Sequence, residues 1–326
     1  MVRIARLTLL AALLALVTSC QPTAGTASEP PESEKSTILR AQIFLDEAGF
    51  GPGILDGKVG DFTRKALAHW NLAQGHFDQP GNWFYVLRES QKAVPQLTTT
   101  YTIQPSDQRF LTPGLPYAPE DQAKSKYMGY RNMLELVAER YHSKTSLLRG
   151  LNPDKKMWSL SVGDTVNVPN VTPFEIASIP KNYQFPKDPV LSNRKAIVDT
   201  SERWMTIYET DGSLLAAFPI TPGRPEVIRR GDWKVVIQIT TPTFRYDKQM
   251  LAEGTRSDEY YKLPPGPNSP VGIIWTGTNR SGIGLHGTSE PDIIGRSRSS
   301  GCVRLANWDA WRLRTYLRPG AQVTIR

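Results

Sequence analysis

The texture of the chain changes at Asn193, and this change limits its fold more than any other feature. Downstream of it come short runs rich in β-branched and aromatic residues: Ala196–Ser201, Trp204–Glu209, Leu214–Thr221, Trp233–Ile239 and Val271–Trp275. Asp211-Gly212, Pro222-Gly223 and a Pro/Gly-dense loop separate them. Regularly spaced turn signals between such runs predict a mostly-β sandwich. A helix follows over Asn307 to Leu317, with Trp308, Trp311 and Leu317 for packing and Asp309 in its first turn, where a carboxylate suits the helix dipole. Upstream, two further segments with different periodicities precede the β-rich part. At 326 residues, three such segments are long enough to bury separate cores. The expected fold class is α+β and multidomain.

The β-rich part contains HGTSEPDIIGRSRSSGCVR, from His286 to Arg304. The chain has two cysteines, Cys20 and Cys302, and His286 is the one histidine of its C-terminal half. A thiolate is a strong nucleophile, but an ordinary thiol is only a few per cent ionised near neutrality and needs a base or a positive field. Gly301, just before Cys302, lets backbone approach closely and can leave amide N–H groups to hold an oxyanion. The residues alone leave open a buried cysteine beside an incidental histidine. No His-x-x-x-His or Cys-x-x-Cys spacing occurs, so neither metal nor cofactor is expected.

The order His286-Gly287-Thr288, a loop, then Ser299-Ser300-Gly301-Cys302-Val303-Arg304 resembles the active-site motif of the L,D-transpeptidases, the YkuD family. Ala196-Ile197-Val198-Asp199, Ile207-Tyr208-Glu209 and Leu263-Pro264-Pro265-Gly266-Pro267 also resemble family landmarks, so the likeness spans residues 193–326. It departs at Ser300, which stands where the family usually has the histidine of His-Gly-Cys. The resemblance implies that Cys302 attacks the carbonyl of the third residue of a tetrapeptide stem of peptidoglycan. His286 then serves as base and as acid to the leaving D-alanine, oriented by a backbone carbonyl near Gly287. Backbone N–H groups at Gly301 and Cys302 would hold the oxyanion. Arg304 would take a donor carboxylate or fix the loop, and Ser299 and Ser300 belong to the substrate side. Asp292 reads as solvated, Arg296 and Arg298 as a solvated edge that could steer substrate, and Trp275 and Tyr260 as core or loop packing, with lining of the donor groove as their alternative.

The chain begins MVRIARLTLLAALLALVTSC. Arg3 and Arg6 precede an apolar stretch from Leu7 to Val17 that is too short to span a bilayer, which reads as an export signal. Leu16-Val17-Thr18-Ser19-Cys20 resembles a bacterial lipobox, implying cleavage after residue 19 and acylation of Cys20. Gln21 after it favours an outer membrane, facing the periplasm, where a cell has two. Lipidation of Cys20 leaves Cys302 no disulfide partner, and an exported free thiol makes more sense as a nucleophile than as packing. Residues 20–36, rich in Pro, Ser, Thr and Glu, read as a disordered tether.

Residues 37–95 show helical spacing at Ile38, Leu39, Ile43, Leu45 and Ala48, then turns at Gly51-Pro52-Gly53, Asp56-Gly57 and Gly60, then helical spacing again to Trp70. With Gln42 and Thr63, the pattern resembles a small helical peptidoglycan-binding domain. Residues 99–172 read as strand, two helices and strand, through Tyr101-Thr102-Ile103, Leu134–Tyr141, Leu147–Leu151 and Val166-Asn167-Val168. That order resembles a LysM-like βααβ glycan-binding module, here with an insertion that carries Pro113, Pro116 and Pro119 and could bury or remodel the glycan groove, which leaves docking onto the catalytic domain as open as glycan binding.

The net charge is +8, and residues 193–326 hold 19 Lys+Arg against 13 Asp+Glu. With an export signal, this basic balance points to carboxylate-bearing wall peptides and not to nucleic acid. The expected partners are therefore peptidoglycan and, through the lipid anchor, a membrane. The same residues would serve L,D-carboxypeptidase trimming or attachment of a lipoprotein to the wall. A peptidoglycan-binding lipoprotein without catalysis is the further alternative.

Overall fold

The structure, a computed structural model, describes residues 33–297 and 299–326. The export signal, Cys20, the tether up to Glu32, and Arg298 lie outside the described residues. Three helices come first: α1 (Glu34–Glu47), α2 (Asp61–Ala73) and α3 (Trp83–Ala93). The first starts within the expected tether because the Ser33 hydroxyl caps it, accepting from the Ser36 N–H at 3.2 Å. The helical spacing read up to Trp70 did not extend to α3. Gln42 is fully buried and organises the loop between α1 and α2. Its carbonyl oxygen accepts from the Asp56 and Gly57 N–H groups, and its amide donates to the Asp56 carboxylate, the Lys58 carbonyl and the Thr63 hydroxyl.

The second segment runs β1 (Thr98–Thr102), α4 (Pro119–Gln122), α5 (Met133–Arg140), α6 (Thr145–Leu151) and β2 (Thr165–Pro169), with β1 and β2 antiparallel. The insertion, with α4, lies between β1 and α5. It is stitched to the C-terminal part: Met128 donates to the Pro265 carbonyl and Asn268 to the Met128 carbonyl, each at 2.9 Å. Gly266 (φ +149°) lies so close that a Cβ there would sit 2.2 Å from the Met128 oxygen.

The C-terminal part is built on one eight-stranded sheet. In chain order its strands are β3 (Lys195–Asp199), β4 (Trp204–Tyr208), β5 (Leu214–Pro219) and β6 (Gly231–Thr240). A two-stranded hairpin of β7 (Phe244–Tyr246) and β8 (Tyr261–Leu263) interrupts the order and encloses helix α7 (Lys248–Glu253). The sheet continues with β9 (Ile274–Thr278), β10 (Gly284–His286) and β11 (Val303–Arg304); helix α8 (Asn307–Arg312) and β12 (Gln322–Ile325) end the chain. The spatial order is β11-β10-β9-β6-β12-β3-β4-β5. Residues 231–234 of β6 pair with β12, whereas from Val235 onward it pairs with β9, after a register shift between Val235 and Ile237. Such an irregularity bends a strand and lets it serve two sheet halves, so the sheet curls into a sandwich.

The cores expected to be separate are joined. A single apolar cluster includes Leu39 and Ile43 of α1, Leu136 of α5, and Ile207 and Val323 of the sheet. Polar groups cross the same junction. Buried Asp46 of α1 accepts from both terminal guanidinium nitrogens of Arg312, at 3.0 and 2.7 Å, and faces His142 Nδ1 at 2.9 Å. Residues 33–326 accordingly form one compact unit.

Candidate active site

Register brings the predicted residues together. Strand β10 pairs in parallel with β11, Leu285 opposite Val303 and His286 opposite Arg304. Side chains alternate along a strand, so Leu285 and Val303 turn into the core while His286, Cys302 and Arg304 share the other face. That face lines a cavity of about 500 Å³, which Ser299, Ser300 and Trp275 also line. On the other neighbour of β10, Trp275 of β9 stands opposite His286 and stacks on its imidazole, with ring centres 5.4 Å apart. The indole lies across Gly284, where a Cβ would come within 2.4 Å of the ring.

His286 is buried, and its Nδ1–H donates to the Gly287 carbonyl at 2.7 Å. This leaves Nε2 as the unprotonated nitrogen. Burial pulls the imidazole down to about 4, against the Gly287 carbonyl, and the Arg304 charge lowers it further. Gly287 is held from behind: a Cβ there would sit 1.9 Å from Asn307 Oδ1. Asn307 in turn donates from Nδ2 to Glu139 of α5 at 2.9 Å and to the Pro267 carbonyl at 3.1 Å.

The Cys302 thiol is half-buried and donates to the Gly282 carbonyl at 3.3 Å. Burial pushes it up to about 11, against a backbone hydrogen bond from Gly284 and the Arg304 charge. At neutral pH the thiol and imidazole are thus both uncharged. The Ser299 hydroxyl donates to the Cys302 carbonyl and accepts from the Gly301 N–H at 3.4 Å, so that N–H already has a distant partner. Gly301 takes φ +129°, open to glycine, and its Cα would lie 2.6 Å from a Cβ on Gly223. The segment from Thr221 to Arg224 runs alongside, Thr221 and Arg304 exchanging both backbone hydrogen bonds at 2.9 Å. Two glycines and this adjoining segment hold the Cys302 loop.

Residues 193–325 match the YkuD family, the L,D-transpeptidase catalytic domain. The catalytic domain of this chain is that of an L,D-transpeptidase, an enzyme. The putative L,D-transpeptidase YkuD of Bacillus licheniformis is 23% identical over 192 residues, covering 59% of this chain and 92% of that protein. The Bacillus subtilis protein of the same name is 34% identical over 73 residues, 22% of this chain and 44% of that one. Among solved structures, L,D-transpeptidase 3 of Mycobacterium tuberculosis is 16% identical, covers 52% of this chain and 76% of its own, and has a TM-score of 0.33.

Arg304 of the transpeptidase domain is half-buried at the cavity wall. Among the described residues no carboxylate pairs with it; Glu290 acts on it only through space. A cation turned into a cavity with no paired carboxylate can receive an anionic ligand there. Asp292 and Arg296 are exposed, consistent with solvated loop positions.

The roof of the cavity was not legible beforehand. Phe244, Arg245, Met250, Leu251 and Arg256 line it from the hairpin of β7 and β8, which read only as a Pro/Gly-dense loop. Its signal was Asp247 before KQMLAE and Gly254 after: Asp247 caps α7, accepting from the Met250 N–H at 2.9 Å, and Gly254 ends it at φ +80°. Arg224 donates to the Leu251 and Ala252 carbonyls, each at 2.9 Å, fixing the far end of α7 to the segment beside Cys302. Of the two readings of Trp275, packing and lining of the groove, the second holds: it is part of the wall. Tyr260 is no part of it and lies under the Arg245 guanidinium, 3.5 Å from the ring centre.

Proposed function

We propose that the chain is an exported L,D-transpeptidase that cross-links peptidoglycan through a thioester on Cys302. The observation that carries the reading is the shared face of Cys302, His286 and Arg304 in one cavity, with Nδ1 of His286 committed to the Gly287 carbonyl and Nε2 left as a base.

A tetrapeptide stem enters with a carboxylate on Arg304. Its arrival turns the Cys302 Sγ–H from the Gly282 carbonyl toward Nε2. As Nε2 takes the proton, sulfur bonds to the carbonyl carbon of the third residue. The N–H groups of Gly301 and Cys302 hold the oxyanion, each such donor being worth on the order of 3 kcal/mol. The C–N bond then breaks, and D-alanine leaves with the proton from Nε2. In the second half, an amine attacks the thioester carbon and gives its proton to Nε2. The C–S bond breaks, and the proton returns to sulfur. The first half joins the stem to the enzyme and the second joins two third-position residues. Export, acylation of Cys20 and wall binding by the helical and LysM-like segments would keep the domain beside its substrate.

The test is to incubate the protein with a disaccharide-tetrapeptide and weigh the products, with Cys302→Ala alongside. A dimer lacking one D-alanine is expected from the parent, and no product from the variant. A tripeptide monomer alone makes the enzyme a carboxypeptidase, with water as the acceptor. Equal turnover by Cys302→Ala would sink the mechanism.

A further inference from the structure

A second, larger cavity, of about 750 Å³, adjoins the first, and Asn182 lines both. Its walls come from three stretches distant in sequence. Residues 109–112 and 125–127 belong to the insertion before α5, residues 176–182 to the connector into the catalytic domain, and Thr241, Pro265, Gly266 and Ile273 to that domain itself. The walls are fixed by backbone bonds. The insertion closes on itself, Thr112 donating to the Tyr130 carbonyl at 2.7 Å and Tyr130 to the Phe110 carbonyl at 2.9 Å, and it is tied to Pro265 through Met128.

The partition between the two cavities is strained. Asn182 and Thr241 both take positive φ, 51° and 46°, and the Asn182 N–H donates to the Thr241 hydroxyl at 2.9 Å. A β-branched residue at such an angle is a true outlier, held only because its surroundings force it, and such strain collects at functional sites. The lining joins two kinds of chemistry. Leu111, Ile176, Ile179 and Ile273 give an apolar floor, while Arg109, Lys126 and Lys181 bring three cations. All three cations are exposed, and no carboxylate pairs with any of them among the described residues.

We propose that this second cavity seats the acyl acceptor, a carboxylate-bearing stem peptide, with its carboxylates on Arg109, Lys126 and Lys181 and its amine passing Asn182 to reach the thioester on Cys302. The inference rests on the transpeptidase reading and adds to it a place for the second substrate, built by the insertion. The apolar floor takes the alkyl stem that carries the amine, and the cations hold the peptide while that amine stays free to attack. The donor keeps Arg304 and the first cavity, so the two carboxylate-bearing peptides do not compete for one cation.

The experiment uses the full-length protein and compares it with Arg109→Gln/Lys126→Gln/Lys181→Gln, a surface variant that leaves the floor intact. A tetrapeptide donor is held fixed while a disaccharide-tripeptide acceptor is titrated, and then the reverse. The expected result is a rise of about tenfold in acceptor KM relative to donor KM, since three exposed contacts of a few-fold each multiply to that order. Amidation of the acceptor's carboxylates should raise the acceptor KM of the parent protein alike, a control that needs no variant. An unchanged ratio overturns the proposal, and so does a parent that prefers the amidated acceptor. A parent that forms neither acyl-enzyme nor dimer refutes the transpeptidase reading itself. Calorimetric binding of the tripeptide then decides on the cavity: tenfold weaker binding to the triple variant supports it, and equal binding, or equal binding of a peptide-free glycan, overturns it.

Discussion

The resting protonation state of Cys302 and His286 can be tested directly by varying pH. Burial sets the thiol at about 11 and the imidazole at about 4. These values stand about seven pH units apart, so moving the proton from sulfur to Nε2 at rest is uphill by on the order of 10 kcal/mol. At pH 7 the thiolate fraction is on the order of 10⁻⁴, where an unperturbed thiol would have a few per cent. The sign is clear for both groups: burial disfavours charge, which raises an acid that ionises to an anion and lowers a base that protonates to a cation. The assay is iodoacetamide alkylation, followed by mass mapping of the Cys302 peptide between pH 5 and pH 10. The expected rate rises tenfold per pH unit across the whole range, with no plateau. Replacing Arg304 by Met removes a charge that favours the thiolate, so the rate at a given pH should fall several-fold. A plateau below pH 8 would refute the reasoning, because it would mean that a thiolate–imidazolium pair exists before substrate arrives. With both groups neutral at rest, it is substrate that does the activating, by turning the thiol toward Nε2 and supplying the carbon on which charge is neutralised.

Three further perturbations test the supports of the site. Gly287→Ala places a methyl 1.9 Å from Asn307 Oδ1 and displaces the carbonyl that orients His286, so kcat should fall about 100-fold while Cys302 alkylation hardly changes; equal loss of both would point to collapse of the loop. Arg312→Met strips Asp46 of its bidentate partner inside the junction, and urea titration should show a loss of about 3–5 kcal/mol, a loss under 1 kcal/mol being contrary to a buried pair. Asp309 is fully buried with both carboxylate oxygens lacking a hydrogen bond, and burial raises it to about 8. Its folded form therefore holds a proton that the unfolded chain releases above about pH 4, so its contribution weakens by about 1.4 kcal/mol per pH unit from there to pH 8. Asp309→Asn should accordingly gain stability relative to the parent as pH rises through that window, and a difference independent of pH would contradict the shift.

Local pattern was enough for the strands from Lys195 to Thr240, because alternation and Asp-Gly or Pro-Gly turns are written in adjacent residues. It also served for the strand–helix–helix–strand order around α5 and α6. The third helix, α3, carries an apolar stripe of Trp83, Val86 and Leu87 at helical spacing that packs on the other two helices, so its signal lay in the sequence although only Val86 and Ser90 are fully buried. Helix α7 escaped because none of its residues is buried and only its cap residues announce it. Trp275 read as packing because a tryptophan in a β run usually packs. That it covers His286 depends on β9 pairing with β10 in one register, which involves residues 11 positions apart.

The residue order alone determined the chemistry available here, a lone C-terminal thiol beside a glycine and the one histidine of the C-terminal half, because nucleophile, base and backbone freedom are properties of residue types. It determined equally that the C-terminal part would be β-rich. The tertiary structure decided how those groups act. Parallel pairing of β10 with β11 put Cys302, His286 and Arg304 on one face, and enclosure set both titrating groups neutral, since the loss of water around a charge depends on every neighbour at once. It also decided that the N-terminal segments are not separate beads. Asp46, His142 and Arg312, far apart in the chain, close a buried junction, and Glu139 reaches through Asn307 to the back of Gly287. Such contacts link residues up to 266 positions apart, and no local periodicity encodes which of them will meet.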